Sequence, residues 1–404
     1  MINKLYQDMC QSPSKIRELA EFSMKRAEII GYDNVYDFTI GSPSVPTPDE
    51  FHNTLKELMD TQNSSYIHGY SPTHGHPVFK EAIAKQLKRK FNIEYTADHI
   101  YPTTGAAGAI THSIKAITTE GDEVITFAPY FAEYGPYVNL TGAKLVVVPP
   151  NFENFEINFD EFEKLINEKT MAILINSPTN PSGVVYSEET IKKLADILKQ
   201  KSKELNHDIY IISDEPYREI TFNGVKCPYI PHFYDKTIVC YSYSKTLSIP
   251  GERVGYAATT PNDENSLLLV KMFGQISRGT GHNSAPTIMQ LAIAKNPDLT
   301  SDLNVYKENF KIMSEGLRKL GFEIKENTAG TFYLFPKALE EDDTEFCKKA
   351  LKYDIVVVPG SAFGAKGYFR LAFCVPTQKC QNSLKAFETF VKNEYPEKIK
   401  NNLD

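Results

Sequence analysis

The sequence predicts an α/β protein with a large domain, whose mostly parallel sheet is covered by helices on both faces, and a smaller α+β domain. The chain has 404 residues, which is too many for one small core. From Ile100, short apolar runs alternate with helical patterns, as a parallel sheet requires. From Asp302 the pattern changes to a long helix, short strands and a final helix. We therefore expect a large domain over residues 46–295 and a small domain over residues 296–404. The N-terminal segment 1–45 is expected to belong to the small domain.

The composition argues against several classes of function. Hydrophobic residues make up 41% of the chain and charged residues 24%, as in an ordinary soluble protein. The net charge of −7 argues against a nucleic-acid partner or an anionic membrane. No apolar run approaches the length of a membrane span, and the N-terminus lacks the apolar core of a signal peptide. The six cysteines contain no CxxC pair and no dense framework, so we expect a cytoplasmic protein.

The first predicted elements are an amphipathic helix and a short strand. Residues 14–28 have helical spacing, and the side that we expect to be buried comprises Ile16, Leu19, Phe22 and Met24. Residues 37–40 are a short strand that runs into a Gly-Ser-Pro turn beginning at Gly41. A further helix is expected from about Val78 to Lys90.

The segment 103–110, Thr-Thr-Gly-Ala-Ala-Gly-Ala-Ile, follows the first strand of the large domain and opens a helix. Small residues let the backbone approach an anion, and a helix N-terminus supplies free N–H groups and the positive end of the dipole. Gly105, Ala106 and Ala107 are therefore candidate anion-binding positions. Close packing of the helix start is the alternative explanation for these small residues.

Two further strands end in polar residues. Residues 171–176 are an apolar run that leads to a turn containing Asn180, and residues 208–213 are a strand followed by Asp214 and Tyr217. Because an isolated buried charge is very costly, Asp214 needs a partner, and a cationic N–H group of a bound ligand would be one. A helix N-cap is the alternative role for Asp214.

The whole chain is organised around residues 241–256, Tyr-Ser-Tyr-Ser-Lys-Thr-Leu-Ser-Ile-Pro-Gly-Glu-Arg-Val-Gly-Tyr. A β-branched run just before them predicts a buried strand that delivers Lys245 to a strand end, where open α/β sheets bind ligands. The Ser242 hydroxyl and the Arg253 fork are suited to holding a phosphate beside the lysine amine. A lysine with a phosphate anchor is what pyridoxal phosphate needs. For the Ser-x-Ser-Lys tetrapeptide alone, a basic surface turn is the alternative.

The order Ser-x-Ser-Lys, then Gly-x-Arg-x-Gly, resembles the active-site lysine segment of the class I/II aminotransferases, the fold-type I pyridoxal-phosphate enzymes. The segments Asn180-Pro-x-Gly and Asp214-x-x-Tyr follow the same family's pattern in the same order. Arg370, embedded in a strand predicted over residues 367–374, also matches. The resemblance runs from Gly41 to Arg370, nearly the whole chain.

The resemblance implies a role for each matched residue. Lys245 carries the cofactor and acts as general base, Asp214 holds the pyridine nitrogen, and Tyr217 bonds the cofactor O3′. The phosphate is held by the positions Gly105, Ala106, Ala107, Ser242 and Arg253. Phe131 stacks on the pyridine ring, with Tyr130 as the second choice. Gly41, Asn180 and Arg370 bind the substrate carboxylate, and Asn180 also donates to the cofactor O3′.

The resemblance is to aspartate aminotransferase-like enzymes, and it implies transfer of an amino group from an amino acid to a 2-oxo acid such as 2-oxoglutarate. The donor is expected to be aspartate or another dicarboxylic or L-amino acid. A carbon–sulfur β-lyase similar to cystathionine β-lyase is one alternative, because it uses the same scaffold. A non-catalytic cofactor-binding regulatory protein is the other. No metal is expected.

The resemblance further implies a homodimer with shared active sites, in which Tyr70 reaches the phosphate of the neighbouring subunit. Arg278 lies 25 residues beyond Arg253. In one branch of aspartate aminotransferases a similar spacing marks an arginine that crosses the dimer interface to bind the side-chain carboxylate. A solvated arginine in a Gly-rich loop, after a helix ending near Met272, is the alternative. Arg17 is a further candidate for the same role.

Overall fold

The computed structural model describes residues 2–11 and 14–400. Within these ranges the strands are β1 (Tyr36–Asp37), β2 (Ile100–Thr103), β3 (Glu123–Phe127), β4 (Lys144–Val148), β5 (Thr170–Asn176), β6 (Tyr210–Asp214), β7 (Thr237–Ser242), β8 (Gly255–Thr259), β9 (Tyr333–Leu334), β10 (Ile355–Val356), β11 (Val358–Pro359) and β12 (Phe369–Ala372). The α-helices are α1 (Lys4–Gln11), α2 (Lys15–Ile30), α3 (Asp49–Thr61), α4 (Ser64–His68), α5 (Pro77–Phe91), α6 (Gly105–Ile117), α7 (Tyr134–Asn139), α8 (Phe159–Leu165), α9 (Glu188–Leu205), α10 (Tyr243–Thr246), α11 (Ser266–Thr280), α12 (Thr287–Lys295), α13 (Asn304–Lys319), α14 (Asp343–Leu351), α15 (Thr377–Glu394) and α16 (Pro396–Lys400). Among the described helices, none is long and apolar enough to cross a membrane.

Seven strands form one sheet in the order β2-β8-β7-β6-β5-β3-β4. All neighbouring pairs from β7 to β4 are parallel, whereas β8 runs antiparallel to both β7 and β2. The predicted mostly parallel sheet is therefore confirmed. Each parallel connection needs a crossover of a dozen or more residues, which explains the alternation of strand and helix in the sequence.

Both faces of this sheet are covered, because successive side chains of a strand point to opposite faces. On one face Ile173 of β5 shares a buried core with Leu194 of α9. On the other face Leu174 of the same strand shares a different core with Ile110 of α6. The central strands are consequently apolar at nearly every inner position, and apart from the threonines that begin β5 and β7 their polar residues lie at the carboxyl ends.

A second, smaller set of strands lies beside the large sheet. The strands β11, β12 and β9 form an antiparallel sheet, and β1 pairs in parallel with β10. Phe38, Phe332 and Phe369 share one buried core with residues of α13 and α15. This core therefore joins an N-terminal residue to the C-terminal part of the chain. The division into residues 1–45, 46–295 and 296–404 stays a proposal.

Two local predictions were wrong. Helix α11 continues to Thr280 instead of ending near Met272, so Arg278 lies in its last turn and not in a loop. The glycine at 274 is there for close packing, since a Cβ would lie 2.8 Å from the His74 Nε2. In α2, Phe22 and Met24 are exposed. The face of α2 that packs inward follows the helical spacing i, i+3, i+4, i+7 and comprises Ile16, Leu19, Ala20 and Ser23.

Candidate active site

A cavity of about 360 Å³ lies where three neighbouring parallel strands end. Its lining includes Asn176, Asp214 and Ser242, which are the last residues of β5, β6 and β7. Strand β5 pairs with β6, and β6 with β7, so these carboxyl ends meet at one edge of the sheet. This is the edge where open α/β sheets bind ligands.

The structure brings most of the predicted site residues together around this cavity. The lining includes Arg17, Gly41, Ala106, Ala107, Phe131, Asn180, Asp214, Tyr217, Ser242, Lys245, Arg253 and Arg370. Gly105 lies directly behind the lining, since a Cβ there would be 3.3 Å from the Arg253 Nη2 and 3.4 Å from the Ser242 Oγ. Of the two candidates for stacking, Phe131 lines the site, whereas Tyr130 is not in this lining and borders a separate small cavity.

Lys245 lies on the short helix α10, which begins directly after β7. Its amine donates a hydrogen bond of 2.5 Å to the Gly41 carbonyl oxygen and lies 5.6 Å from the centre of the Phe332 ring. Burial lowers the pKa of the amine to about 8, although the nearby Cys374 thiol acts in the opposite direction. The amine can therefore lose its proton close to neutral pH, as a nucleophile or general base must.

Asp214 is a buried carboxylate with half of its hydrogen-bonding capacity unused. The Tyr134 hydroxyl donates to its Oδ2 at 2.7 Å, whereas its Oδ1 has no partner among the described residues. Burial raises the pKa of Asp214 to about 7, and the charge of Glu215 adds to the rise. Since a buried acceptor without a donor is costly, the site fits a ligand that presents a cationic N–H to Oδ1.

One corner of the cavity has the properties of an anion site. The backbone N–H groups of Ala106 and Ala107 belong to the first turn of α6, where helical N–H groups lack intrahelical partners. The Arg253 guanidinium faces the same corner, with its Nη2 donating to the Thr104 carbonyl oxygen at 3.3 Å. The Ser242 hydroxyl lies close to Gly105. Backbone donors, an arginine fork and a hydroxyl are what binds a phosphate.

Arg370 contributes a buried positive charge from the small sheet. Its side chain is 2% exposed, its Nη1 donates to the Asn180 Oδ1 at 3.0 Å, and its Nη2 donates to the Thr39 carbonyl oxygen. Its Nε has no partner among the described residues. The guanidinium carbon lies 4.6 Å from the Tyr333 ring centre and 4.8 Å from that of Phe363. In the described residues Arg370 makes no ion pair, so a carboxylate can still bind to it.

Residues 33–387 match the family model described as aminotransferase class I and II. The chain belongs to the class I and II aminotransferases. An aspartate aminotransferase of Bacillus subtilis is 31% identical to it, with 91% of this chain and 94% of that protein covered. A crystal structure of an aminotransferase from Eubacterium rectale is 44% identical, with a TM-score of 0.94 and coverage of 98% and 99%. An aspartate aminotransferase of Thermotoga maritima has a TM-score of 0.83 at 30% identity, with coverage of 94% and 98%.

This aminotransferase is a pyridoxal-phosphate-dependent transaminase, as the sequence predicted. The comparisons favour that interpretation over the β-lyase and over the regulatory protein. When bound, the cofactor supplies a carbonyl carbon that an amine can attack and a ring that withdraws electrons from the substrate. The cavity fits it, because the unpartnered Oδ1 of Asp214, the anion corner at Gly105 and the amine of Lys245 offer one group to each of its polar parts.

Two predicted residues of the aminotransferase do not reach this cavity within one protomer. Tyr70 is fully exposed, and Arg278 donates from its Nη1 to the Gln275 Oε1 at 2.9 Å. Both line a separate surface groove formed by residues 70–73 and residues of the segment 277–284. Because neither residue lines the active-site cavity of its own protomer, the predicted roles of both depend on a second copy of the chain.

Sequence analysis missed three residues that shape the site. The Tyr134 hydroxyl binds Asp214, the Asn176 Oδ1 accepts from the Asn180 N–H at 2.6 Å, and the Tyr333 hydroxyl lies 3.1 Å from that of Tyr217. Asn176 is the last residue of the apolar run 171–176, a position that could have marked it as a site residue. Tyr134 and Tyr333 belong to none of the motifs in the sequence, and a tyrosine outside a motif cannot be distinguished from one that only packs in the core.

Proposed function

We propose that this aminotransferase moves an amino group between acidic substrates: aspartate donates it, and 2-oxoglutarate accepts it and becomes glutamate. The observation that supports this proposal is the side chain of Arg17, which lines the cavity in addition to Arg253 and Arg370. The proposed phosphate and α-carboxylate sites use one arginine each, so a third is available for a second carboxylate. Glu133 lines the same cavity, and an incoming carboxylate has to compete with it for Arg17. The relatives from Bacillus subtilis and Thermotoga maritima are both named aspartate aminotransferases.

The proton transfers are assigned to Lys245. Its Nζ would hold the cofactor before substrate binds. Once the substrate amine has displaced it, the free Nζ would take the proton from the substrate α-carbon and deliver a proton to C4′ of the cofactor. The pKa of about 8 supports this role, because an amine with an ordinary lysine pKa would remain protonated at neutral pH. Asp214 would keep the ring nitrogen of the cofactor protonated, because its unpartnered Oδ1 can accept a hydrogen bond from that N–H group.

The substrate α-carboxylate is assigned to Arg370 and Asn180, with the backbone of Gly41 beside them. Arg370 is fixed by its bond to the Asn180 Oδ1 and by the rings of Tyr333 and Phe363. A planar guanidinium held in this way can present two N–H groups to one carboxylate. Binding there fixes the substrate, so that its α-proton is held within reach of the lysine.

The cofactor is assigned to the rest of the cavity. Gly105, Ala106 and Ala107 at the start of α6 are proposed to bind its phosphate together with Ser242 and Arg253. The ring of Phe131 is proposed to stack on the pyridine ring, and the Tyr217 hydroxyl to donate to its O3′. Both side chains line the cavity.

We further propose a homodimer in the cytoplasm, in which Tyr70 and Arg278 act on the site of the neighbouring subunit. The support is the exposure of Tyr70 and its position in one groove with Arg278. All six cysteines are free, which favours a reducing compartment. Light scattering together with activity on dilution tests the dimer. A monomer that keeps full activity would contradict it.

The experiment that tests the proposed substrate measures how each amino acid converts the bound cofactor to its amine form in a single half-reaction. In this half-reaction, which needs no acceptor, we expect a catalytic efficiency for aspartate or glutamate about 100-fold or more above that for alanine. A hydrophobic or aromatic amino acid that is the best donor would overturn the proposal of an acidic substrate. Release of pyruvate from cystathionine without amino transfer would restore the β-lyase alternative.

A further inference from the structure

Tyr333 meets Arg370 because of the register of the small sheet. Strand β9 pairs with β12 so that Tyr333 lies opposite Ala372. Arg370 is two residues from Ala372 and therefore projects from the same face, as a diagonal neighbour of Tyr333. The side chain of Tyr333 is 3% exposed and lines the active-site cavity. Tyr333 is therefore next to the position of a substrate that Arg370 binds.

The ring and the hydroxyl of Tyr333 have different partners. The ring lies 4.6 Å from the guanidinium carbon of Arg370, within the range of a cation–π contact. The hydroxyl oxygen lies 3.1 Å from the hydroxyl oxygen of Tyr217. It also touches the backbone at Gly41, where a Cβ would come within 1.8 Å of it. The side chain is thus held at both ends.

The contact between the two hydroxyls decides which protons are available in the cavity. Each hydroxyl has one proton, so when Tyr333 donates to the Tyr217 oxygen, the Tyr217 proton is free to be donated elsewhere. Burial raises the pKa of both phenols, and each remains neutral. The other ionisable groups around the pair are Asp214, Lys245, Arg370 and Cys374.

We infer that Tyr333 is a positioning residue of the transamination reaction: its hydroxyl makes Tyr217 a hydrogen-bond donor to the cofactor, and its ring fixes the guanidinium of Arg370 for the substrate carboxylate. This inference rests on the proposed roles of Tyr217 and Arg370. The two contributions can be separated, because Tyr333→Phe removes the hydroxyl and keeps the ring, whereas Tyr333→Leu removes both.

The hydroxyl is tested by titrating the absorbance of the bound cofactor with pH in holoenzyme of the wild type and of Tyr333→Phe. A hydrogen bond donated to the cofactor's phenolate oxygen stabilises the charged form, so weakening it raises the pH midpoint. We expect a rise of about 0.5–1 pH unit and a fall in kcat of about 3- to 10-fold, with KM nearly unchanged. In a Tyr217→Phe background, adding Tyr333→Phe is expected to move the midpoint no further.

The matched control is Tyr95→Phe. Tyr95 and Tyr229 form another buried hydroxyl pair, with 2.8 Å between their oxygens, and neither residue lines the active-site cavity. Tyr95→Phe is expected to lower stability as much as Tyr333→Phe does and to leave the pH midpoint where it is. An equal shift in both variants would reduce Tyr333 to a structural role and overturn the inference.

The Tyr217→Phe variant distinguishes failure of this inference from failure of the proposed function. If Tyr217→Phe moves the midpoint and Tyr333→Phe does not, the inference about the Tyr333 hydroxyl is wrong and the role of Tyr217 stands. If Tyr217→Phe leaves the midpoint unmoved, the proposed role of Tyr217 is wrong, and the inference that rests on it is overturned as well.

The ring is tested by the substrate KM of Tyr333→Leu and Tyr333→Phe. Loss of the contact with Arg370 is expected to raise KM for the amino acid and for the 2-oxo acid by about 3- to 30-fold in Tyr333→Leu. In Tyr333→Phe, which keeps the ring, KM is expected to change little. Equal KM values in the two variants would contradict the role of the ring.

Discussion

The cavity has two walls, and they hold charge in different ways. On the wall formed by the ends of β5, β6 and β7, Lys245 and Asp214 are buried without a close counter-ion, and Asp214 has one oxygen unpartnered. On the wall formed by β9 and β12, the guanidinium of Arg370 has aromatic rings and two oxygen acceptors around it. Burial raises the pKa of Asp214 and lowers the pKa of both Lys245 and Arg370, but the guanidinium of Arg370 remains charged and has hydrogen-bond acceptors at two of its nitrogens.

The two walls have different proposed tasks in transamination: the first transfers protons, and the second binds the substrate carboxylate. Burial brings the pKa of Lys245 down to about 8 and that of Asp214 up to about 7, so both groups can change protonation near neutral pH. Arg370 stays charged and offers a fixed geometry. Substitutions of Lys245 and Asp214 should therefore lower kcat, and substitutions of Arg370 should mainly raise KM.

The largest effect is expected for Lys245→Ala on the first wall. Without the amine, no group in the cavity can hold the cofactor covalently and move the α-proton, so the half-reaction rate should fall by about 10³-fold or more. Rapid mixing with the amino acid and absorbance detection measures this rate. Lys226→Ala, which changes an exposed lysine, is the control. Transamination by Lys245→Ala at the wild-type rate would contradict the assignment of proton transfer to Lys245.

The next effect concerns the stability of the cofactor-free enzyme. The pKa of Asp214 is raised by burial from 3.8 to about 7, so between these values the folded state binds a proton that the unfolded state has lost. Stability from this group is present at low pH and is lost as pH rises through about 7, by roughly 2 kcal/mol between pH 5 and pH 7.

Urea unfolding of the apoenzyme at pH 5 and pH 7 measures this loss. Asp214→Asn has no proton to lose and should lack this part of the pH dependence. If wild type and variant show the same change in unfolding free energy between the two pH values, Asp214 does not titrate as the structure indicates.

On the second wall, Arg370→Lys is expected to raise KM about 30- to 100-fold with a smaller change in kcat. An ammonium keeps the charge, but it cannot present two parallel N–H groups to a carboxylate. Steady-state kinetics with both substrates measures the split. Arg318→Lys, at an arginine paired with Glu326 on the surface, is the control. A loss confined to kcat would place Arg370 with the reacting groups and erase the distinction between the walls.

The smallest effect is expected at the distal end of the substrate. Arg278→Ala should lower the catalytic efficiency for aspartate about 10-fold more than for alanine or an aromatic amino acid. Arg17→Ala, on the cavity wall of the same protomer, provides the comparison. A selective loss in only one of the two variants would show which arginine binds the distal carboxylate. An equal loss for all substrates in Arg278→Ala would leave that residue as ordinary surface.

Much of the first wall was predictable from sequence because its residues follow strands directly. Asn180, Asp214 and Lys245 each come at or just after the end of an apolar run, and parallel strands bring such ends together. The second wall was harder, since β9 and β12 have only 2 and 4 residues and their pairing is not local in sequence. Arg370 was found through a resemblance, whereas Tyr333 was missed.

The extent of α11 was mispredicted for a related reason. Glycines in the segment that contains Arg278 indicate a loop by their propensity, yet α11 runs through both Gly274 and Gly279. At position 274 the glycine is explained by His74, which packs closely against it. Such a contact joins residues far apart in the chain, and periodicity does not show it. The proposed contact of Tyr70 with a second subunit cannot be derived from a single sequence, since the groove that Tyr70 lines is part of the surface of the chain.

The most direct test of the account is to find the residue that carries the cofactor. Borohydride reduction of the holoenzyme fixes the cofactor to its lysine, and peptide mass spectrometry then locates the modified residue. The account predicts one modified site, Lys245, at the end of β7. Stoichiometric labelling of any other lysine in fully active enzyme would contradict the assignment of this cavity as the active site.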